Sequence, residues 1–496
     1  MRKLRRAAIG ALRCGVVLCL ATPVHAEPTE TLGDAIALAY QTNPTLQAAR
    51  AQQRATDEGY VQARAGFRPT LTGTFGITRD QNQGNLQLFG TPPQLTNTAS
   101  GSVVVEQPIY SGGRVATAVD AAKADVLAGR QGLRETEIQV LDAVIQAYVN
   151  VRRDQEQLAI AEDNVSVLKR QLEETNARFD VGEVTRTDVA QAQARLAQAQ
   201  AQLSTVQANL AIDRASYASL VGQNPGTLAP EPPISALLPA DIDAAFDAAE
   251  RSNPQLMQAD YTERASAARV AQAKAQLNPT IGFRAGLTYN GGNTNFSVGG
   301  PEPNPLKGFQ RDINVSATAT VPLFTGGLTL SEIRQATERN NVDRINLEAA
   351  RRQVLQAVSQ AWNQLLGARA ELVANEAQVK ADIVAYEGVR EEQQVGLRTT
   401  LDILNAQQEL ENAELALVGA RHDEYVASAA VLAAMGALQA ETLAPDAPRY
   451  DPAANFKKVV HAPGWTPWEP AIEAIDRVGQ PPAPAPPPGE VLKTAH

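Results

Sequence analysis

The residues best placed for chemistry are two aspartates in matching settings. "FDVGEVTRTD" (179–188) and "QQVGLRTTLD" (393–402) each hold a Val-Gly pair followed by Thr-x-x-Asp, which pairs Thr185 with Asp188 and Thr399 with Asp402. That spacing is a capping box. The threonine oxygen accepts from the aspartate N–H, and the carboxylate accepts from the threonine N–H, so a helix starts there. Gly182 and Gly396 fit the left-handed position that ends the preceding helix. Nothing else assembles into a reactive site. Both cysteines, Cys14 and Cys19, lie in the first 26 residues, and the remaining histidines, His422, His461 and His496, are scattered. No nucleophile–base or metal-ligand spacing exists, so an enzyme, a metal site and a cofactor are not expected. Other Asp and Glu residues fall on helical faces and read as solvated surface.

The N-terminus reads as an export signal. "MRKLRR" is basic, "AAIGALRCGVVLCLA" is apolar, and "VHA" offers small residues before a cleavage site after Ala26. Neither cysteine follows a small residue as a lipid-attachment site would. Without residues 1–26 the formal charge of −10 becomes −15, since five of the 44 basic residues leave and all 54 acidic ones stay. Nucleic acid is therefore not an expected partner. Beyond residue 26 no apolar run reaches the ~20 residues of a spanning helix.

Two copies of one pattern organise the rest. "QTNPTLQA" around Pro44 matches "RSNPQLMQA" around Pro254, and "RPTLTGTFG" matches "NPTIGFRAG", both at an offset of 210. "QPIYSGG" (107–113) matches "VPLFTGG" (321–327) at an offset of 214, as do Gly182 with Gly396 and Gly222 with Gly436. The expected divisions are a signal peptide (1–26), a first half (27–235), a second half (236–445) and a tail (446–496). Each half reads as a helix opening at Asn-Pro, a strand, a polar loop, a second strand, Pro-x-aromatic-[Ser/Thr]-Gly-Gly, and two long helices.

The strands alternate. Ile281, Phe283, Ala285, Leu287 and Tyr289 interleave with Thr280, Gly282, Arg284, Gly286 and Thr288, and Leu71, Phe75 and Ile77 oppose threonines. Period two over about 10 residues suits a tilted transmembrane β-strand. Four strands cannot close a barrel, and lipid forbids open edges, so several chains must contribute. From Gly113 to Phe179 there is no proline, and a helix of that span is roughly 100 Å long. Leu158, Ala161, Val165, Leu168, Leu172 and Phe179 keep a coiled-coil seam, echoed by Leu372, Val379, Ile383, Tyr386 and Val389. Such helices suit a tube. Pro108, Gly112 and Gly113, with Pro322, Gly326 and Gly327, read as the junctions where proline ends the strand ladder and glycines permit the bend into helix.

Taken together, the paired Asn-Pro openings, the "PIYSGG" and "PLFTGG" junctions and the two turn segments resemble the TolC family of outer-membrane channels of Gram-negative bacteria, over about 420 residues. The resemblance implies an α+β membrane protein, a homotrimer with a 12-stranded β-barrel in outer-membrane lipid, continued by an α-helical coiled-coil barrel through the periplasm. It also implies two partners, a periplasmic adaptor and an inner-membrane ABC or proton-driven transporter. In the family the second turn carries an acidic constriction, locked by an arginine to an aspartate of the first turn. Here that maps to Arg398 and Asp402, and to Thr187 and Asp188. A further acidic ring of the family falls on Asn405 and a lock tyrosine on Gln393, which implies a looser closed state. The adaptor-contact turns map to Val181-Gly182 and Val395-Gly396.

The tail segment "YDPAANFKKVVHAPGWTPWEP" lies outside the repeat and resembles tails of members serving type I secretion, while "QPPAPAPPPGE" reads as a polyproline-type, disordered segment. The leading expectation is an export duct for type I protein secretion. The alternatives are the outer-membrane component of a multidrug efflux pump and, from another class, a non-transporting periplasmic scaffold or adhesin.

Overall fold

The structure, a computed structural model, describes residues 29–82, 94–295, 308–445, 447, 449–460 and 464–480. The expected signal peptide, the Pro-rich end, His461 and His496 lie outside the described residues.

Two short helices open the chain, α1 (Leu32–Thr42) and α2 (Pro44–Arg64), followed by strands β1 (Thr70–Asn82) and β2 (Gln94–Tyr110). Then come α3 (Arg114–Asp180) and α4 (Arg186–Val221). The same order returns as α5 (Ile242–Ser252), α6 (Pro254–Ala275), β3 (Thr280–Asn295), β4 (Gln310–Thr320), α7 (Leu328–Gln394) and α8 (Thr400–Ala434). Three short helices follow: α9 (Ala440–Leu443), α10 (Pro452–Val460) and α11 (Glu469–Asp476).

The Asn-Pro openings have a physical reason. Proline at the first helical position lacks the N–H that would be orphaned there. The asparagine before it caps the helix: Asn43 accepts from Thr45 and Leu46 N–H, and Asn253 from Gln255 and Leu256 N–H. Each side-chain amide also donates to the end of a long helix, Asn43 to Leu220 O (3.0 Å) and Asn253 to Ala434 O (2.9 Å). One residue per half thus satisfies a helix start and a helix end together. Around this point the main core gathers α1, α3, α4, α5, α7 and α8, with Leu32, Ile36, Ile145, Tyr148, Tyr217 and Leu432 buried.

The four strands form one antiparallel sheet in the order β1-β2-β3-β4. The first three are longer than the sequence suggested, at 13, 17 and 16 residues, while β4, at 11, has about the expected length. Polar stretches such as Arg79–Asn82 stay in the ladder, paired with 94–97. Once a strand leaves an apolar layer its backbone bonds still hold, although alternation is no longer needed. A second expectation is corrected at Pro108. It does not end the ladder, because β2 pairs on to Tyr110 with a register irregularity between 108 and 110, and a bulge accommodates the missing donor. In the second half the strand stops at Thr320, before Pro322.

Candidate functional site

Register decides what the sheet can do, because directly paired residues share a face. Leu71, Val105, Ala285 and Val315 lie in one row, Gly73, Val103, Leu287 and Ile313 in the next, then Phe75, Gly101 and Tyr289. The other face carries Thr72, Val104, Gly286 and Asn314, then Thr74, Ser102, Thr288 and Asp312. Leu71, Phe75 and Ile77 are 70%, 96% and 77% exposed. An exposed apolar face backed by a hydroxyl-rich one suits a strand between lipid and a water-filled lumen. On the polar face Glu106 and Arg284, directly paired, form an ion pair at 3.3 Å. Thr74 and Ser102 share a hydroxyl bond there.

Both junctions turn through left-handed glycines, Gly112 and Gly113 in the first and Gly326 and Gly327 in the second. Their surroundings differ. Asp476 of α11 is buried and takes bonds from the N–H of Ser111 (2.6 Å), Gly113 (3.1 Å) and Ala116 (3.0 Å) and from the Ser111 hydroxyl. It caps α3 from a distant part of the chain, where a carboxylate meets both free donors and the positive end of the helix. Buried Glu469 pairs with Arg64 (2.7 Å) and Arg68 (3.0 Å), and Arg477 forks onto Asp120 at 2.9 and 3.0 Å. The Asp120 carboxylate raises the Arg477 pKa still further above its ordinary value. The second junction has no such cover among the described residues, and Leu323 and Phe324 beside Pro322 are 92% and 88% exposed.

At the far ends of the long helices the two turns follow the sequence reading closely. Gly182 N–H donates to Phe179 O and Glu183 N–H to Arg178 O, while Gly396 N–H donates to Gln393 O and Leu397 N–H to Glu392 O. This paired closure needs a left-handed residue, and both glycines have φ +80°. Asp188 and Asp402 close capping boxes onto Thr185 and Thr399 at 2.7–2.9 Å. The bonds from Thr185, side chain first, hold Asp188 below the usual carboxylate range; those from Thr399, backbone first, do the same for Asp402. Thr187 lies beside Asp188 in the first turn of α4.

Arg398 is engaged locally. It donates to Glu392 at 2.7 Å, and that bond raises its pKa. Among the described residues no bond joins Arg398 to Asp188. The charge was expected to reach across to the other turn; within one chain it bonds Glu392 in the last turn of α7, six residues back. Asn405 accepts from Arg195 of α4 at 3.2 Å, so the position where another acid was expected ties the two hairpins through a neutral acceptor. Gln393 is buried. Above it Leu404 packs with Val165, Leu168 and Ala199, joining the hairpins through an apolar seam. Val181, Val395 and Leu397 stand 71%, 72% and 76% exposed at the tips.

Asp476, Glu469 and Arg195 carried no sequence signal, since each works through partners far away in the chain. Their only hint was position: Asp476 and Glu469 lie in the tail outside the repeat, and Arg195 corresponds to Glu409 in the second half.

A sheet with a lipid-type face and a polar face, running into two 67-residue helices with closed turns at their far ends, defines a protomer of an outer-membrane channel. The family model described as "Outer membrane efflux protein" matches residues 35–223 and 245–437. The chain belongs to this family of TolC-type channels. It is 34% identical over 433 residues to the outer membrane efflux protein BepC of Brucella suis biovar 1, covering 87% of this chain and 91% of that protein. It is 27% identical over 403 residues to the alkaline protease secretion protein AprF of Pseudomonas aeruginosa, covering 79% of this chain and 81% of that one. Among solved structures, the Campylobacter jejuni CmeC outer membrane channel superposes with a TM-score of 0.73 at 16% identity, over 87% of this chain and 89% of that one.

The expected fold class therefore holds: barrel strands continued by a long helical tube. The chain is an outer-membrane protein reaching into the periplasm, a transport duct and not an enzyme. The scaffold or adhesin alternative finds no support.

Proposed function

We propose that three copies, with four strands each, close a 12-stranded barrel and a helical tube that together form an export duct for type I protein secretion. The reading rests on one observation: among the described residues β1 and β4 are edges with no strand partner. Open edges are not tolerated in lipid, so like chains must pair them. The halves 27–235 and 236–445 act as two quasi-equivalent sectors of each protomer, with the described tail segments 449–460 and 464–480 packed on the first. The polar face lines the lumen, and its hydroxyls hold water without binding cargo strongly.

In this reading the turns form the periplasmic mouth. Asp402 supplies an acidic ring, while Thr187, Asp188, Arg398 and Asn405 set how tightly it closes. Exposed Val181 and Val395, beside Gly182 and Gly396, which have open space around them, suit an adaptor that grips apolar tips. The adaptor links the duct to an inner-membrane transporter. Pro108, Gly112 and Gly113, with Pro322, Gly326 and Gly327, transmit the tube into the barrel.

Likeness to a protease secretion protein over four-fifths of its length supports secretion as the cargo route. Drug efflux is the second reading, favoured by the higher identity to an efflux protein. Deleting the gene and scoring both secreted proteins and drug tolerance tests the choice. Loss of secreted protein with unchanged drug tolerance is expected, and the reverse result assigns efflux.

A further inference from the structure

Helix α11 is inside out for a segment in water. From residue 468 to 478 every charged side chain, Glu469, Glu473, Asp476 and Arg477, turns toward the protein and finds a partner there. Every exposed residue of the same stretch is apolar: Trp468, Pro470, Ala471, Ala474, Ile475 and Val478. Trp468, Ile475 and Val478 are 50%, 43% and 67% exposed, and Trp465 just before the helix is 52% exposed. An amphipathic helix on a soluble surface has the opposite orientation.

The position of the helix gives the reason. Trp468 Nε1 donates to Gln107 Oε1 at 3.1 Å. Gln107 is paired with Phe283, on the apolar face two residues beyond Val105, at the end of the sheet nearest the long helices. The outward surface of α11 thus continues the lipid-type face past the last strand residues. Tryptophan favours that level of a membrane, where its ring meets the headgroups and its N–H finds an acceptor. Two of the chain's three tryptophans are here.

We propose that residues 464–480 form an interfacial anchor lying on the inner-leaflet phospholipid of the outer membrane, with Trp465 and Trp468 at headgroup depth and Ile475 and Val478 against the upper acyl chains. The buried acids fasten the anchor to the first junction, and the exposed apolar side fastens that junction to lipid. The proposal rests on the sheet being lipid-embedded.

The test is depth-dependent quenching in the full-length protein reconstituted into phosphatidylethanolamine–phosphatidylglycerol vesicles. The lipids carry a nitroxide either near the headgroup or near the acyl terminus. Trp362→Phe leaves only the tail tryptophans as reporters. Their emission is expected to be quenched about twofold more by the shallow nitroxide than by the deep one. A second protein, with Trp362→Phe, Trp465→Phe and Trp468→Phe plus Phe75→Trp, reports on the barrel face and is expected to favour the deep nitroxide. Tail tryptophans that no nitroxide quenches, beside a quenched Phe75→Trp, overturn the anchor and assign that surface to a neighbouring copy. Absence of quenching from Phe75→Trp as well overturns the lipid-embedded sheet itself.

Discussion

Helices α3 and α7 are each 67 residues long, start from a Gly-Gly pair and end in the same glycine-closed turn, yet 25 residues of α3 are buried and only 6 of α7. Their strands explain the difference. α3 follows β2, an inner strand of the sheet, and so lies among α2, α4, α6 and α8 of its own chain. α7 follows β4, an edge, and leaves Val342, Ile345 and Val373 at 55%, 68% and 67% exposure. Exposed apolar residues on a helix that continues an open strand edge mark a surface made for another chain. Duplication supplied two equal halves, and the sheet order made one the interior of the protomer and the other its interface.

The tail deepens that difference. Its Glu469 pairs with Arg64 and Arg68, its Trp468 donates to Gln107 and its Arg477 to Asp120, all around the first junction. At the corresponding offsets of 210 or 214 the second half has Lys274, Asn278, Val321 and Arg334. No equivalent clasp can form there.

The largest effect is expected at this clasp. Asp476→Ala leaves three buried N–H groups without an acceptor and should cost about 3 kcal/mol. Faster amide exchange at 111–116 and easier thermal dissociation would read it out. Thr325→Ala, at the position corresponding to Ser111, should cost no more than about 0.5 kcal/mol. Equal losses at the two sites would break the comparison. Next, Glu469→Gln removes the carboxylate from Arg68 and leaves Arg64 only Glu473, both arginines mostly buried, and should cost about 2 kcal/mol by the same assay.

The turns give smaller, functional contrasts. Asp402→Ala should raise single-channel conductance and lower cation preference, because under the proposed reading it removes a charge from the mouth. Asp188→Ala should instead speed amide exchange in the first turn of α4 by about fivefold through the lost cap. A conductance unchanged by Asp402→Ala would leave that residue a cap only.

The smallest contrast is in pH. Glu411, buried on α8, corresponds to Ala197 on α4. Burial pushes its pKa up, against hydrogen bonds from Asn164 and Gln408 that lower it. A carboxyl raised in the folded state stabilises most when protonated, below its unfolded value, and loses that contribution as pH rises through the folded value. Lowering pH from about 7 to about 5 should therefore tighten the α3–α8 contact modestly, as cross-hairpin exchange protection, and Glu411→Gln should abolish the trend. Asp188 and Asp402 act oppositely. Their depressed values keep both caps intact until pH falls below about 4, since that contribution is lost only through the folded pKa.

What could be read from the sequence was whatever is local or periodic. Thr185–Asp188 and Thr399–Asp402 are contacts three residues apart, the glycine turns are single-residue events, and strand alternation has period two. The duplication then placed each element twice. What escaped was long-range pairing. Glu469 finds Arg64 across 405 positions, Asn405 finds Arg195 across 210, and no spacing rule links such residues. Pro108 misled for a related reason: its lost donor matters less beside a bulge, and the bulge belongs to the pairing with β3. Arg398 was expected to reach another turn, but in one chain the nearest carboxylate, Glu392, takes it.

The central claim is that copies of this chain close into a water-filled duct whose narrow end lies at the two turns. Single-channel recording of the purified protein in planar bilayers tests it most directly. Discrete unitary steps that are cation-preferring in the wild type and larger in Asp402→Ala are the expected result. Bilayers that take up the protein and stay electrically silent in both forms would contradict it.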